Sequence, residues 1–119
     1  MNKTSRVVLF QEKFHSWEEA LEVFVLFKKA EGQSARTIKD YSCHIAHLFN
    51  ECPQAWNPAD ASRARAAVLS FLSQDGIAPA TFNIRLNCLK AFFSWLVDEG
   101  AFTGNPVEGI KKRKAEPRI

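Results

Sequence analysis

The sequence predicts an all-α fold, a compact four-helix bundle followed by a short basic C-terminal linker, and three observations predict it. Apolar residues recur at i, i+3, i+4 and i+7 through four separate stretches, the spacing that lines one face of a helix. Each stretch opens on a capping residue or a helix-starting proline, and a glycine or proline follows each one closely. No segment alternates apolar and polar residues as a half-buried strand does, and the connections are short enough to set successive helices side by side. With 119 residues, 46% of them apolar and ten of them Phe, the chain suits one domain with a core that needs neither metal nor disulfide.

Residues 1–15 lack a period and read as a flexible N-terminal arm. Ser16-Trp17-Glu18-Glu19 fits a capping box, in which the Ser hydroxyl accepts the third backbone N–H and the Glu reaches back, so Ser16 begins the first helix. That helix runs to about Glu31, and Gly32 stops it. Its apolar residues (Trp17, Ala20, Leu21, Phe24, Val25, Leu26 and Phe27) nearly encircle it, so it is buried on more than one side or meets a neighbour.

Ser34 caps a second helix over roughly residues 35–50, with Ile38, Tyr41, Ile45, Leu48 and Phe49 inside and Arg36, Lys39, Asp40, His44, His47 and Asn50 outside. Cys52-Pro53 ends it. Asp60 caps a third helix, about 60–74, which buries Ala64, Val68, Phe71 and Leu72. Pro79 stands at the first position of a fourth, which runs to Glu99 and stops at Gly100. Placed at 100° intervals, Phe82, Leu86, Leu89, Phe93 and Leu96 form one apolar stripe, and Ile84, Cys88, Ala91 and Trp95 a second. Asn83, Asn87, Lys90 and Ser94 form a narrow polar seam between them. Such a helix belongs at the centre of a bundle. From Ala101 the pattern decays, and Asn105-Pro106 signals a turn.

The net charge of +3 is unevenly placed. Lys111, Lys112, Arg113, Lys114 and Arg118 against Glu116 give residues 111–119 a charge of +4, which leaves −1 for the other 110 residues. A nearly neutral body has no general positive field, so a polyanion has to be held by local patches and by the tail. Cys43, Cys52 and Cys88 are widely spaced with no CxxC pair, which suits reduced thiols in a cytoplasmic protein. Residues 1–12 show no signal-peptide pattern. No run approaches the roughly 18 apolar residues of a membrane span, so no membrane partner is expected.

Catalytic chemistry finds little support. His44 and His47 lie three apart on one helix, but zinc needs further ligands that nothing nearby supplies, so a solvated polar face is the better reading. There is no Gly-rich phosphate loop. The single tyrosine, Tyr41, falls in an apolar stripe, where packing suits it better than nucleophilic attack. Neither cofactor nor metal is expected. What remains points to nucleic acid. Asn can read adenine through paired hydrogen bonds, Lys can reach guanine or phosphate, and Ser can bind phosphate, which makes the polar seam of the fourth helix a candidate reader. The outer face of the second helix offers Arg36, Thr37, Lys39 and His44, and residues 111–114 can track a phosphate backbone. A merely solvated face and tail is the plain alternative for each. Glu18, Glu19, Glu22 and Glu31 gather acidity on the first helix, whose solvent face would then point away from DNA.

The order of motifs carries a resemblance. Ser34-x-x-Thr37-x-x-x-Tyr41 with its apolar ladder through Leu48-Phe49 resembles the second helix of the SAM-like core-binding domain of tyrosine recombinases (phage integrases). Ala80-Thr81-x-Asn83-x-Arg85-Leu86-x-x-Leu89-Lys90-x-Phe92-Phe93-x-Trp95-Leu96, then Gly100 and Asn105-Pro106, is similar to that domain's fourth helix and exit. The match spans about residues 16–110, and the basic run after it resembles the interdomain linker. The resemblance implies one jaw of a DNA clamp, its second and fourth helices lying in a major groove of double-stranded DNA. Carried over by position, the contacts are Arg36, Thr37, Lys39 and His44 with Thr81, Asn83, Arg85, Asn87 and Lys90, joined by Lys111, Lys112, Arg113 and Lys114. Arg85 falls beside an apolar stripe, so it can pair at the bundle edge instead. The first helix would contact other recombinase protomers. The family's tyrosine nucleophile and His-x-x-Arg motif have no match here, so binding without strand cleavage is expected, from a piece of a larger recombinase. The alternative is a helical protein-interaction module with no DNA role.

Overall fold

The computed structural model describes residues 12–114. Four helices appear, α1 (Trp17–Ala30), α2 (Ala35–Glu51), α3 (Ala61–Leu72) and α4 (Pro79–Asp98), with a 3₁₀ turn at Pro53–Ala55 and no strand among the described residues. The all-α class and all four helices match the sequence reading, with ends moved by two residues or fewer.

The starts and stops follow local chemistry. Ser16 Oγ accepts from Glu19 N at 3.2 Å, while Glu19 Oε1 accepts from His15 N at 2.7 Å, so the capping box closes one residue earlier than its usual form. Ser34 and Asp60 cap α2 and α3 by accepting from the backbone N–H of Thr37 and Arg63. α1 and α4 end in Schellman turns. Gly32 and Gly100 take φ of 85° and 77°, and the next residues, Gln33 and Ala101, return N–H to the carbonyls of Lys28 and Leu96.

Among the described residues, nine of the 24 buried apolar side chains are aromatic, and most of these pack against one another. Phe24 sets its ring edge against Tyr41 and Phe92 at 5.1 and 5.2 Å, and Phe49 stacks on Trp17 at 5.3 Å. α4 contributes the most buried side chains, yet α2 is the organising element: it packs directly on α1, α3, α4 and the 3₁₀ turn. The expectation that α4 is the central helix is corrected accordingly. α4 gains its burial from α2 on one side and from the returning chain on another.

That returning chain is the main departure from the sequence reading. Phe14, assigned to the flexible arm, is buried and stacks on Trp95 at 5.6 Å, and Lys13 pairs with Glu99 at 2.8 Å. The remainder of that arm, residues 1–11, lies outside the described residues. After α4, Phe102 packs on Trp56 and Phe93, and Pro106 and Val107 are buried. The Asn105-Pro106 turn is present, with Asn105 Oδ1 accepting from Val107 N at 3.0 Å. Arg65 of α3 holds the strap by donating to the carbonyls of Pro106 and Glu108. Helical periodicity cannot announce such a segment, because it folds by contacts made far along the chain.

Candidate nucleic-acid interface

α2 carries three faces. Ile45, Leu48 and Phe49 point into the core. One flank meets α4, and the other meets α1, where Lys39 lines a shallow groove with Lys29, Gln33, Ala35 and Ile38. Lys39 therefore lies apart from Thr37 and His44, because 100° per residue turns it away from the side they occupy. Arg36 is exposed, its Nε 3.9 Å from Asp40 Oδ2. Thr37 is half-buried, and its hydroxyl accepts from Ser34 Oγ at 3.0 Å.

The seam between α2 and α4 is where candidates from both helices meet. Arg85 is 8% exposed. Its guanidinium lies 4.9 Å from the centre of the Phe71 ring, with Nη2 3.3 Å from His47 Nδ1. If that contact is a hydrogen bond, His47 Nδ1 accepts and the ring proton sits on Nε2, which faces Glu51 Oε2 at 3.9 Å. Arg85 Nε is buried and has no hydrogen-bond partner among the described residues. A cation with so few partners is costly to bury, and burial holds its pKa below the ordinary value. The expectation that Arg85 reads DNA is thus revised toward the edge role: the aromatic face and His47 already hold its head. Beside it, His44 is half-buried and its pKa is lowered, by burial first and by the Arg85 charge second, with Asp40 opposing. Burial, with Asp40 and Cys43 adding to it, pushes the Cys88 thiol to about 12. The Arg85–His47 contact sets His47 of α2 alongside α4. Among the described residues no group of three His, Cys, Asp or Glu could hold a metal ion.

On α4, Thr81, Asn87 and Ser94 are exposed, and Lys90 is half-buried on the same flank as Asn83. Asn83 does not present a free amide. Its Nδ2 donates to the Arg113 carbonyl and its Oδ1 accepts from the Arg113 N–H, both at 2.8 Å. Arg113 in turn lies 3.8 Å over the Phe82 ring and donates to the carbonyls of Leu72 at 3.1 Å and Ile77 at 3.4 Å. Arg113 is therefore docked, whereas Lys111, Lys112 and Lys114 are exposed. Sequence spacing missed His47, Phe71 and Phe82 as partners, since each meets a residue from a different part of the chain or through a ring face.

The acidic α1 turns a different surface outward. Val23, Leu26 and Phe27 are exposed, Leu26 by 62%. Trp17, Leu21, Val25 and Leu26 line an apolar groove against Ser42 and Ala46 of α2. No helix among the described residues is long and apolar enough to cross a membrane.

Comparison with known proteins gives a consistent answer. The chain is similar to the tyrosine recombinase XerC of Shigella dysenteriae serotype 1, at 36% identity over 101 residues that cover 80% of this chain and 33% of the relative. It is 29% identical to XerC of Serratia marcescens over 101 residues, 81% of this chain and 33% of that one. It is 38% identical to XerC of Salmonella typhi over 63 residues, 52% of this chain and 20% of that one. The chain thus spans a third or less of the curated relatives named here. No family model matches it, and no solved structure matches it significantly. Along most of its length, this chain is related to the tyrosine recombinase family.

Proposed function

We propose that this chain is a DNA-binding domain of the core-binding type, one that lays the shared surface of α2 and α4 in a major groove and serves site-specific DNA recombination or integration. One observation supports the reading: α2 and α4 pack side by side, and Arg85 of α4 reaches His47 of α2 across their seam. A helix fits the major groove, and the exposed amide of Asn87 suits bidentate pairing with adenine. Arg36, Thr81 and Lys90 suit phosphate contacts, as do Lys111, Lys112 and Lys114 along the rim. Thr37 and His44 contribute neutral hydrogen-bonding groups at the seam. Arg85 braces the seam from within, and Lys39 is the least involved. The reading includes no strand cleavage: Tyr41, the one tyrosine of the chain, is half-buried with Phe24 against its ring. A cytoplasmic location goes with this role.

Titration of the chain against duplex DNA of random sequence, followed by fluorescence anisotropy at several salt concentrations, tests the reading. Log affinity should fall linearly with log salt as counterions leave the phosphates. On a sequence selected from the pool, Asn87→Ala should lose about 1–3 kcal/mol of discrimination at one base pair and little elsewhere. Binding that ignores salt would sink the proposal. It would favour the second reading, a protein-interaction module working through the exposed Val23, Leu26 and Phe27 of α1.

A further inference from the structure

Asn83 and Arg113 both look like DNA contacts in the sequence, yet each spends its polar groups on the other. The amide edge of Asn83 that would pair with a base is the edge that meets the backbone of Arg113, in two hydrogen bonds of 2.8 Å. The guanidinium of Arg113 is equally engaged. It lies over Phe82, 3.8 Å from the ring centre, and donates to the carbonyls of Leu72 and Ile77. Leu72 is the last residue of α3, so its carbonyl is one of those a helix end leaves without an internal partner, and a cation there also complements the helix dipole. Five interactions therefore converge on one residue of a segment that composition alone reads as a loose basic tail.

We propose that Asn83 and Arg113 form a clasp that positions residues 111–114 as a fixed basic rim beside the start of α4, and that neither residue reads DNA itself. The functional half of this inference rests on the DNA-binding reading above. With Arg113 pinned, Lys111, Lys112 and Lys114 keep exposed side chains on a backbone that is already ordered. Asn87 stands one turn beyond Asn83, so the rim borders the face proposed to enter the groove. A pre-ordered rim loses less conformational freedom on binding than a free tail would.

Two substitutions in the full chain test the clasp, Asn83→Ala and Arg113→Lys. The second keeps the charge but loses the planar fork that lies over Phe82. Without DNA, trypsin cleavage within residues 111–114 should quicken by about tenfold in both, as expected for the loss of one or two local hydrogen bonds, while the helical circular-dichroism signal and the melting curve of the remaining domain stay close to wild type. With DNA, both should bind several-fold more weakly, equally for every base sequence, and with the salt slope retained because no phosphate contact has been deleted. Unchanged cleavage in both variants would show that no clasp exists. A loss of discrimination at one base pair in Asn83→Ala would make Asn83 a reader. Full affinity in Arg113→Lys would mean that Arg113 acts by charge alone, and tighter binding in either variant would mean that the segment obstructs DNA. If the wild-type chain fails to bind DNA while the variants are still cleaved faster, the DNA reading falls and the clasp stands.

Discussion

His44 shows what a single residue contributes at the α2–α4 seam. Its imidazole is half-buried and close to the Arg85 charge, and both effects disfavour its protonated form, burial more than charge. Its pKa in the fold therefore lies below the ordinary value of 6.5. Between that lowered value and 6.5 the unfolded chain binds more protons than the folded one, so stability rises with pH across the window. The contribution is whole above 6.5 and is lost as pH falls from there through the folded pKa. Melting temperature measured from neutral to mildly acid pH should drop on the acid side, and His44→Gln, which keeps a polar side chain but does not titrate, should flatten that drop. An acid limb identical in the variant would assign the effect elsewhere. Spacing along α2 was enough to put His44 on the polar face, and spacing along α4 to put Arg85 at the edge of an apolar stripe. The encounter of Arg85 with the polar face of α2 was not legible, because His47 and Arg85 are 38 residues apart and meet only after α2 and α4 have packed.

At the scale of elements, legibility tracks how local the determining chemistry is. Ser16, Ser34 and Asp60 cap through hydrogen bonds to residues three positions on, and Gly32 and Gly100 stop helices through backbone conformations that other residues rarely adopt. Such signals lie within one turn, so the four helices could be placed closely. Asp60 offers a direct check. Its Oδ1 accepts from Arg63 N at 3.2 Å, and its Oδ2 lies 3.4 Å from Arg63 Nε. Asp60→Ala should lower stability by about 1 kcal/mol, mostly through the lost cap, since an exposed ion pair is worth little. Urea unfolding should show a lower midpoint with an unchanged slope, and an unmoved midpoint would mean that the cap contributes nothing. The strap after α4 is the opposite case. Phe102, Val107 and Arg113 are held by Trp56, by the core and by Asn83, and no periodic pattern encodes partners that distant.

For the whole molecule, the question is how two unlike surfaces share one small fold. Arg36, Thr81, Asn87, Lys111, Lys112 and Lys114 are exposed on the elements outside α1. α1 instead carries Glu18, Glu19 and Glu22 beside exposed Val23, Leu26 and Phe27, a composition suited to a protein partner and ill suited to a phosphate backbone. That division suits a chain that grips DNA with one side and meets another protomer with the other, in keeping with the wide apolar girth of α1 that the sequence shows. Leu26→Glu separates the two roles. At 62% exposure the side chain loses little packing, so folding stability should move by no more than ~0.5 kcal/mol. Affinity for a duplex carrying one binding site should stay near wild type, because the substitution lies away from the α2–α4 seam. On a duplex carrying two adjacent sites, the wild type should bind the second copy more tightly than the first. Leu26→Glu should lose that gain, since a charge set into an apolar contact must be desolvated without a partner. Equal cooperativity in the two proteins would remove α1 from the protomer contact and leave its apolar face to a partner of another kind.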